Sequence, residues 1–418
     1  MNCKLRVGYS KREITPPIGS ALAGRPMLMG RCAKTARDPL FARAAYIESQ
    51  QGHVTILVAD LLLVTKSLHL QIAHASGCPA QNLLVLATHT HSGPGGYWKG
   101  KHIEPFMGPY SPDASNRIAA CLAETVREAA ASALPTELSA ASVEVTGLSI
   151  NRRLADGPVD PVLTLLRFGV EGDRPICVAS FGAHPIVGLE RQPFTITADF
   201  PGEICGHLER LGLRSIFIQG ACGGTSPAHV RLPLETHIAS VAAALEGEIR
   251  AGLTRMEACA LSRIVVDQIP FRIASAETRI TPDGLPFLGA VEDRIRPLRR
   301  YFAEMAQQGM ADNRDLALTV VDLGCAVLVG VPGEVGPELS LSIRRVFSNR
   351  QLNHVIVASL CNGYAGYIHK RSDYRYRPGT RALGLYENAM SLAGRDAGDS
   401  ILSLLERYVA KDGAMVSR

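Results

Sequence analysis

The sequence predicts an α/β fold, with mixed β-sheets forming a buried core flanked by helices. Three observations lead there. Runs rich in Val, Ile and Leu alternate along the chain with longer segments of helical periodicity, the pattern of strands interleaved with crossover helices. Several runs are apolar almost without a break, as in strands covered on both faces. Two segments, 138–150 and 258–273, alternate apolar and polar residues instead. That pattern fits antiparallel strands with one solvated face, so the sheets are expected to be mixed.

In chain order, strands are predicted at 54–64 (VTILVADLLLV), 82–88, 162–170, 176–183, 215–221, 316–324, 326–331 and 354–360. Helices are predicted at 113–133, 202–212, 234–251, 290–309, 336–349 and 396–410. Four of the strands run into chemically loaded segments. The run 82–88 leads into His89 and His91, 176–183 into His184-Pro185, 326–331 into Pro332-Gly333-Glu334, and 354–360 into Asn362, Tyr364 and Tyr367. Ligands in such folds gather outside the carboxyl ends of strands, where loops converge. The loops 94–112 and 370–385 are long and rich in Gly, Pro, Tyr and Arg, and loops of that length in a compact domain are usually functional or mobile. No linker or internal repeat is evident, so residues 1–418 read as a single domain.

Composition narrows the function. With 418 residues, 46% hydrophobic and 20% charged, the chain can bury a sizeable core and is not extensively disordered. A net charge of +5 without a dense Lys/Arg run argues against a nucleic-acid partner. The ten cysteines lie between Cys3 and Cys361 with no Cys-x-x-Cys spacing. They read as buried free thiols in a reducing compartment rather than a zinc ribbon or a disulfide framework. The N-terminus has no apolar stretch long enough for a signal peptide, and the longest apolar run contains Asp60. A cytoplasmic protein without an integral membrane segment is therefore expected.

The stretch HTHSGPGG (89–96) is the least ordinary in the chain. His89 and His91 occupy alternating positions, and the glycines after them let backbone approach a bound group. The pair could be two ligands on one metal, one ligand and one proton carrier, or two loop residues. Glu334 has two readings of its own, a metal ligand or the acid favoured at the N-terminus of helix 336–349. Tyr364 and Tyr367 could line a site or pack as aromatics. No Gly-x-Ser-x-Gly elbow, His-Glu-x-x-His or Walker motif occurs.

Together with the opening VGYSKREITPPIG (7–19), HTHSGPGG resembles the catalytic domain of the neutral/alkaline non-lysosomal ceramidase family. DLLLV (60–64), INRR (150–153), QGACGGTSP (219–227), VPGE (331–334) and NGYAGY (362–367) come in the family's order and spacing. The resemblance implies a zinc amidase that splits the N-acyl bond of ceramide into a fatty acid and a sphingoid base. It implies one zinc per chain, held by His89, His184, Glu334 and Tyr367. His91 and Arg152 would face the scissile carbonyl, as oxyanion donors or, for His91, as the proton carrier to the leaving amine. The family's further active-site tyrosine matches Tyr386 by its Tyr-Glu pair, whereas Tyr374 and Tyr376 match better by spacing. The expected function is thus zinc-dependent hydrolysis of an N-acyl amide, through a metal-activated water, on a small-molecule or lipid-like substrate.

The sequence also departs from the family. It reads as lacking the secretion signal and the C-terminal β-sandwich domain, and Gly224-Thr225-Ser226-Pro227 lacks the family's Asp. The loop carrying Arg371, Arg375, Arg377 and Arg381 is longer than usual and could clamp an acidic substrate such as an N-acyl amino acid. Two other functions stay open. The same zinc site could form an amide or ester, or cyclise a biosynthetic intermediate. Alternatively, the chain could be a catalytically silent, zinc-stabilised binding protein.

Overall fold

The structure, a computed structural model, describes residues 5–24, 30–228, 234–259, 264–272, 315–348, 352, 354–375 and 379–416. The apolar runs pair into two mixed sheets. Across the larger one the strands lie in the order Arg214–Gln219, Ile176–Phe181, Val162–Val170, Leu134–Glu144, Arg6–Glu13, Phe41–Ser49, Gly52–Ala59 and Leu83–Ala87. The short strand Glu257–Cys259 pairs with Leu134–Glu144. The outermost pairs are parallel and those between them antiparallel. In the smaller sheet the order is Val265–Arg272, Asp315–Asp322, Ala326–Gly330 and His354–Ala358, with only the last pair parallel.

Side-chain alternation decides how the sheets stack. Ala44, Leu57 and Val85 face one way, into a core capped by the helices Lys66–Ser76 and Pro112–Ala131. Their neighbours Ala45, Ile56 and Leu84 face the other way and meet Val321, Leu328 and Ile356 of the smaller sheet. The far face of the smaller sheet is covered by the helices Pro337–Ser348 and Ala397–Val416, which contribute Ile343, Phe347, Ile401 and Leu405. The helices Asp199–Arg210 and Leu234–Leu253 cover the rest of the larger sheet's outer face, over the strands Val162–Val170, Ile176–Phe181 and Arg214–Gln219. The result is a helix–sheet–sheet–helix sandwich, and the strands buried on both faces are the ones with unbroken apolar runs. Each fully buried Leu, Ile or Phe side chain contributes roughly 1.5–3 kcal/mol.

Some expectations change. The strand expected at 54–64 ends at Ala59 because Asp60 turns inward. Its buried carboxylate accepts hydrogen bonds from the Phe41 amide (2.7 Å) and Thr88 Oγ1 (3.1 Å) and faces the Arg43 guanidinium (3.3 Å). Residues 60–65 therefore form a loop, and Thr65 caps the unanticipated helix Lys66–Ser76 through the Leu68 amide. The strands Arg6–Glu13 and Phe41–Ser49 were also unanticipated. The helix expected at 290–309 lies outside the described residues. The reading of all cysteines as free thiols is corrected by a disulfide between Cys259 and Cys325, which ties the two sheets together. No helix among the described residues is long and apolar enough to cross a membrane.

Candidate functional site

Each of the three parallel strand pairs in the two mixed sheets opens toward the same place. His89 follows Leu83–Ala87, and His184 follows Ile176–Phe181. Cys222 follows Arg214–Gln219, Glu334 follows Ala326–Gly330, and Tyr364 and Tyr367 follow His354–Ala358. Two local devices aim these residues. His89 adopts φ +70°, a left-handed conformation that side chains rarely take and that marks a constrained position. Glu334 lies in a two-residue strand, Glu334–Val335, that pairs in parallel with Tyr367–Ile368 and sets Glu334 opposite Tyr367. The alternative of Glu334 as a helix N-terminal acid is not what is seen. Its carboxylate oxygen Oε2 lies 3.2 Å from His89 Nε2, and the helix begins three residues later at Pro337.

The three histidines point one nitrogen each at a common spot. His89 Nε2 is 3.2 Å from His184 Nε2 and 3.4 Å from His91 Nε2, and His91 and His184 are 3.0 Å apart by the same atoms. Behind each ring stands a backbone carbonyl: Leu62 O for His89 Nδ1 (2.6 Å), Gly24 O for His91 Nδ1 (2.8 Å) and Cys222 O for His184 Nδ1 (3.2 Å). A carbonyl only accepts, so these contacts assign a ring hydrogen to each Nδ1, and in a neutral ring Nε2 then carries a lone pair. Three lone pairs facing one another at this range repel unless a cation or a proton lies between them.

Glu334 completes the set. Its Oε1 accepts a hydrogen bond from the Tyr364 hydroxyl (2.8 Å), while its Oε2 is buried without a donor. Burial opposes the charged carboxylate, while positive charge on its His89 side and the Tyr364 hydroxyl favour it and hold its pKa below the ordinary range. Burial, reinforced by neighbouring positive groups, pushes His91 and His184 well below the ordinary imidazole value, so both are neutral at pH 7. Ligand atoms of His89, His184, Cys222 and Glu334, all buried, lie within 4.8 Å of one another. Imidazole nitrogens backed by carbonyls, together with a carboxylate, are the donor set and outer shell of a catalytic zinc site. These residues fit such an ion.

Tyr367 and Arg152 adjoin this cluster. Arg152 Nη2 donates to the Tyr367 hydroxyl (3.1 Å), and Arg152 Nε donates to Glu387 Oε1 (2.6 Å). Burial, then the negative charge of Glu334, drives the Tyr367 pKa well up. Tyr386 is half-buried, with its ring 6.2 Å from that of Tyr367. Of the three tyrosines considered for the second position, Tyr386 lines the cleft. Tyr374 turns away to Ser391 Oγ (2.9 Å), and Tyr376 lies outside the described residues. All seven residues singled out from the sequence, His89, His91, Arg152, His184, Glu334, Tyr367 and Tyr386, are thus brought into one neighbourhood. The arginine loop is not. Arg371 pairs on the surface with Asp396 (3.0 Å), Arg375 and Arg381 are exposed, and Arg377 is outside the described residues.

A cleft of about 530 Å³ leads to the cluster. His89, His91 and Glu334 supply its polar floor, and its walls are apolar, among them Leu62, Leu63, Trp98, Phe106, Met390 and Leu392. Sequence reasoning missed Cys222, Glu387 and the apolar wall. Glu387 stands next to Tyr386 and Cys222 sits in QGACGGTSP, so both lay inside recognisable motifs without being assigned any chemistry.

Residues 5–202 match the model of the neutral/alkaline non-lysosomal ceramidase N-terminal domain. A neutral ceramidase of Mycobacterium tuberculosis (strain ATCC 25618 / H37Rv) is 29% identical over 184 residues. That match spans 39% of this chain and 29% of the length of the curated relative. The crystal structure of neutral ceramidase from Pseudomonas aeruginosa superposes with a TM-score of 0.75 at 18% identity, over 98% of this chain and 75% of that one. A ceramidase complexed with C2 superposes with a TM-score of 0.76 at 18% identity, over 97% and 74%. Residues 5–202 are thus similar to the neutral/alkaline non-lysosomal ceramidase N-terminal domain, and the chain shares the fold of these two solved structures.

Proposed function

We propose that this chain is a zinc-dependent amidohydrolase that cleaves an N-acyl amide of ceramide-like type. One observation carries the reading: three imidazole lone pairs and a buried carboxylate oxygen without a donor converge at the floor of an apolar cleft. His89, His184 and Glu334 would hold the metal, with Tyr367 as fourth donor. Bound there, zinc would act as a Lewis acid on the scissile carbonyl and make water a nucleophile near neutral pH.

The remaining roles belong to the protein's own groups. His91 is neutral, with its hydrogen held on Nδ1 by the Gly24 carbonyl. Its Nε2 is therefore an acceptor. It would take the proton from the attacking water and return it to the leaving amine, rather than bind an oxyanion in its resting state. Arg152 carries a fixed positive charge beside Tyr367 and would stabilise negative charge building on the carbonyl oxygen. Tyr386 would orient the amide at the entrance to the cluster. The apolar walls would take the acyl chain and keep bulk water from it.

The test is metal content by mass spectrometry on the wild type, His89→Ala and Glu334→Gln, followed by hydrolysis of a series of N-acyl amides and, in reverse, condensation of fatty acid with amine. About one zinc per chain in the wild type, its loss in both variants and amide cleavage by the wild type are expected. A wild type that binds no zinc, or cleaves none of the amides, would overturn the proposal. Net synthesis would instead favour the condensing use of the site.

A further inference from the structure

Beneath the proposed site lies a buried group that has no part in the mechanism so far. Glu387, on the helix Ala382–Ala389, is fully buried. Its two oxygens serve different partners. Oε1 accepts from Arg152 Nε at 2.6 Å, while Oε2 faces Arg153 Nη1 at 3.2 Å and His369 Nε2 at 3.4 Å. Arg153 is tied further into the scaffold by the Asp373 carbonyl and Asn388 Oδ1. Arg152 instead reaches from Glu387 to the Tyr367 hydroxyl. One carboxylate thus joins the scaffold through one oxygen to the guanidinium beside the cleft-lining Tyr367 through the other.

We propose that Glu387 is the positioning residue for Arg152, and, through it, for the Tyr367 hydroxyl; this rests on the amidohydrolase reading of the site. The physical reason is the shape of the arginine. A guanidinium is planar and donates in fixed directions, so anchoring Nε sets where Nη2 points. The two contacts, 2.6 Å and 3.1 Å on one rigid plane, leave the group no rotation that keeps both. Without the Nε anchor, the side chain recovers the freedom to turn away from Tyr367, and the charge beside that hydroxyl is no longer preorganised. Arg153 cannot replace the anchor, since it donates to the other oxygen and is held by the scaffold. Glu387 is fully buried and does not line the cleft, so it acts only through Arg152.

The experiment uses the full chain loaded with zinc, with Glu387→Gln and Glu387→Asp made in wild-type and Arg152→Ala backgrounds. Gln keeps the shape and removes the charge; Asp keeps the charge and withdraws it by one methylene. Expected are unchanged zinc content, little change in KM and a fall in kcat of about 100-fold, the usual cost of a catalytic group misplaced by an ångström. In the Arg152→Ala background, either change should cost less than about 2-fold more, because the group it positions is gone. Crystal structures of the variants should show Arg152 detached from the Tyr367 hydroxyl. Equal losses in both backgrounds, undiminished kcat, an unmoved Arg152, or failure of both variants to fold would overturn the proposal by assigning Glu387 to the scaffold alone. If the wild type cleaves no N-acyl amide, the functional reading fails by itself, and the position of Arg152 in the variant crystals still decides the clamp.

Discussion

Removing zinc from this protein should lower its melting temperature by an amount that can be worked out beforehand. The cluster brings three imidazole Nε2 atoms to within 3.0–3.4 Å of one another and sets a buried carboxylate oxygen beside them. An ion that binds only the folded state adds RT ln(1 + [L]/Kd), about 2.7 kcal/mol at a free concentration of 100 times Kd. Unfolding entropy is roughly 2.1 cal/mol/K per residue, so a chain of 418 residues has about 0.9 kcal/mol/K. The quotient is a shift of about 3 °C. Differential scanning calorimetry of chelator-treated protein, with zinc restored stepwise to 100 times the Kd measured by titration, reads it directly. His89→Ala and Glu334→Gln should melt at a temperature indifferent to zinc. A wild type whose melting point ignores zinc, or a zinc shift equally large in both variants, would refute the argument that these lone pairs are arranged around a cation.

The geometry yields three further outcomes. Gly24 has φ +120°, and a Cβ there would lie 2.8 Å from His91 Cα, Cβ and Nδ1, so Gly24→Ala should displace His91. We expect roughly 1–2 kcal/mol of lost stability from backbone strain alone and a kcat about 100-fold lower, measured by denaturant unfolding and steady-state kinetics. For pH dependence, His91 and His184 have pKa values depressed in the fold. The unfolded chain therefore binds more protons below about pH 6.5, and the metal-free protein loses stability as pH falls through that point. These two groups together add a slope of about 2.7 kcal/mol per pH unit; His91→Gln should remove half of it in chemical denaturation between pH 6 and pH 5. Finally, thiol titration of protein unfolded without reductant should leave Cys259 and Cys325 unreactive, and reduction should release both.

How much of this was legible beforehand depends on whether the determining contacts are local. Runs such as LLVLA at 83–87 and AVLVG at 326–330 are buried at every position, so their unbroken apolarity declares a strand covered on both faces. RVGYSKRE at 6–13 is half-exposed and carries charges. It becomes a strand because Gly8 lets the helix Pro112–Ala131 press against it, at a spot where any Cβ would meet the Ala129 carbonyl at 1.9 Å. That contact crosses more than a hundred residues and leaves no periodic trace. Asp60 shows the converse: one polar residue in an apolar run ends the strand, since its carboxylate binds the Phe41 amide rather than continuing the ladder.

The site divides in the same way. Its histidines, Glu334 and tyrosines could be picked out because each follows a strand and because the motifs resemble a family. The features that decide their chemistry could not. Which nitrogen of each imidazole faces the cluster is set by the carbonyls of Leu62, Gly24 and Cys222, and every residue has a carbonyl, so its identity there carries no signal. The Arg152–Glu387 contact spans 235 residues and joins two residue types that are common everywhere. Sequence therefore names the groups that can do chemistry, while the backbone and the buried counter-charge assign their protonation and direction. Substitutions that leave every named site residue intact, at Gly24 or Glu387, should for that reason cost turnover as heavily as substitutions in the site itself.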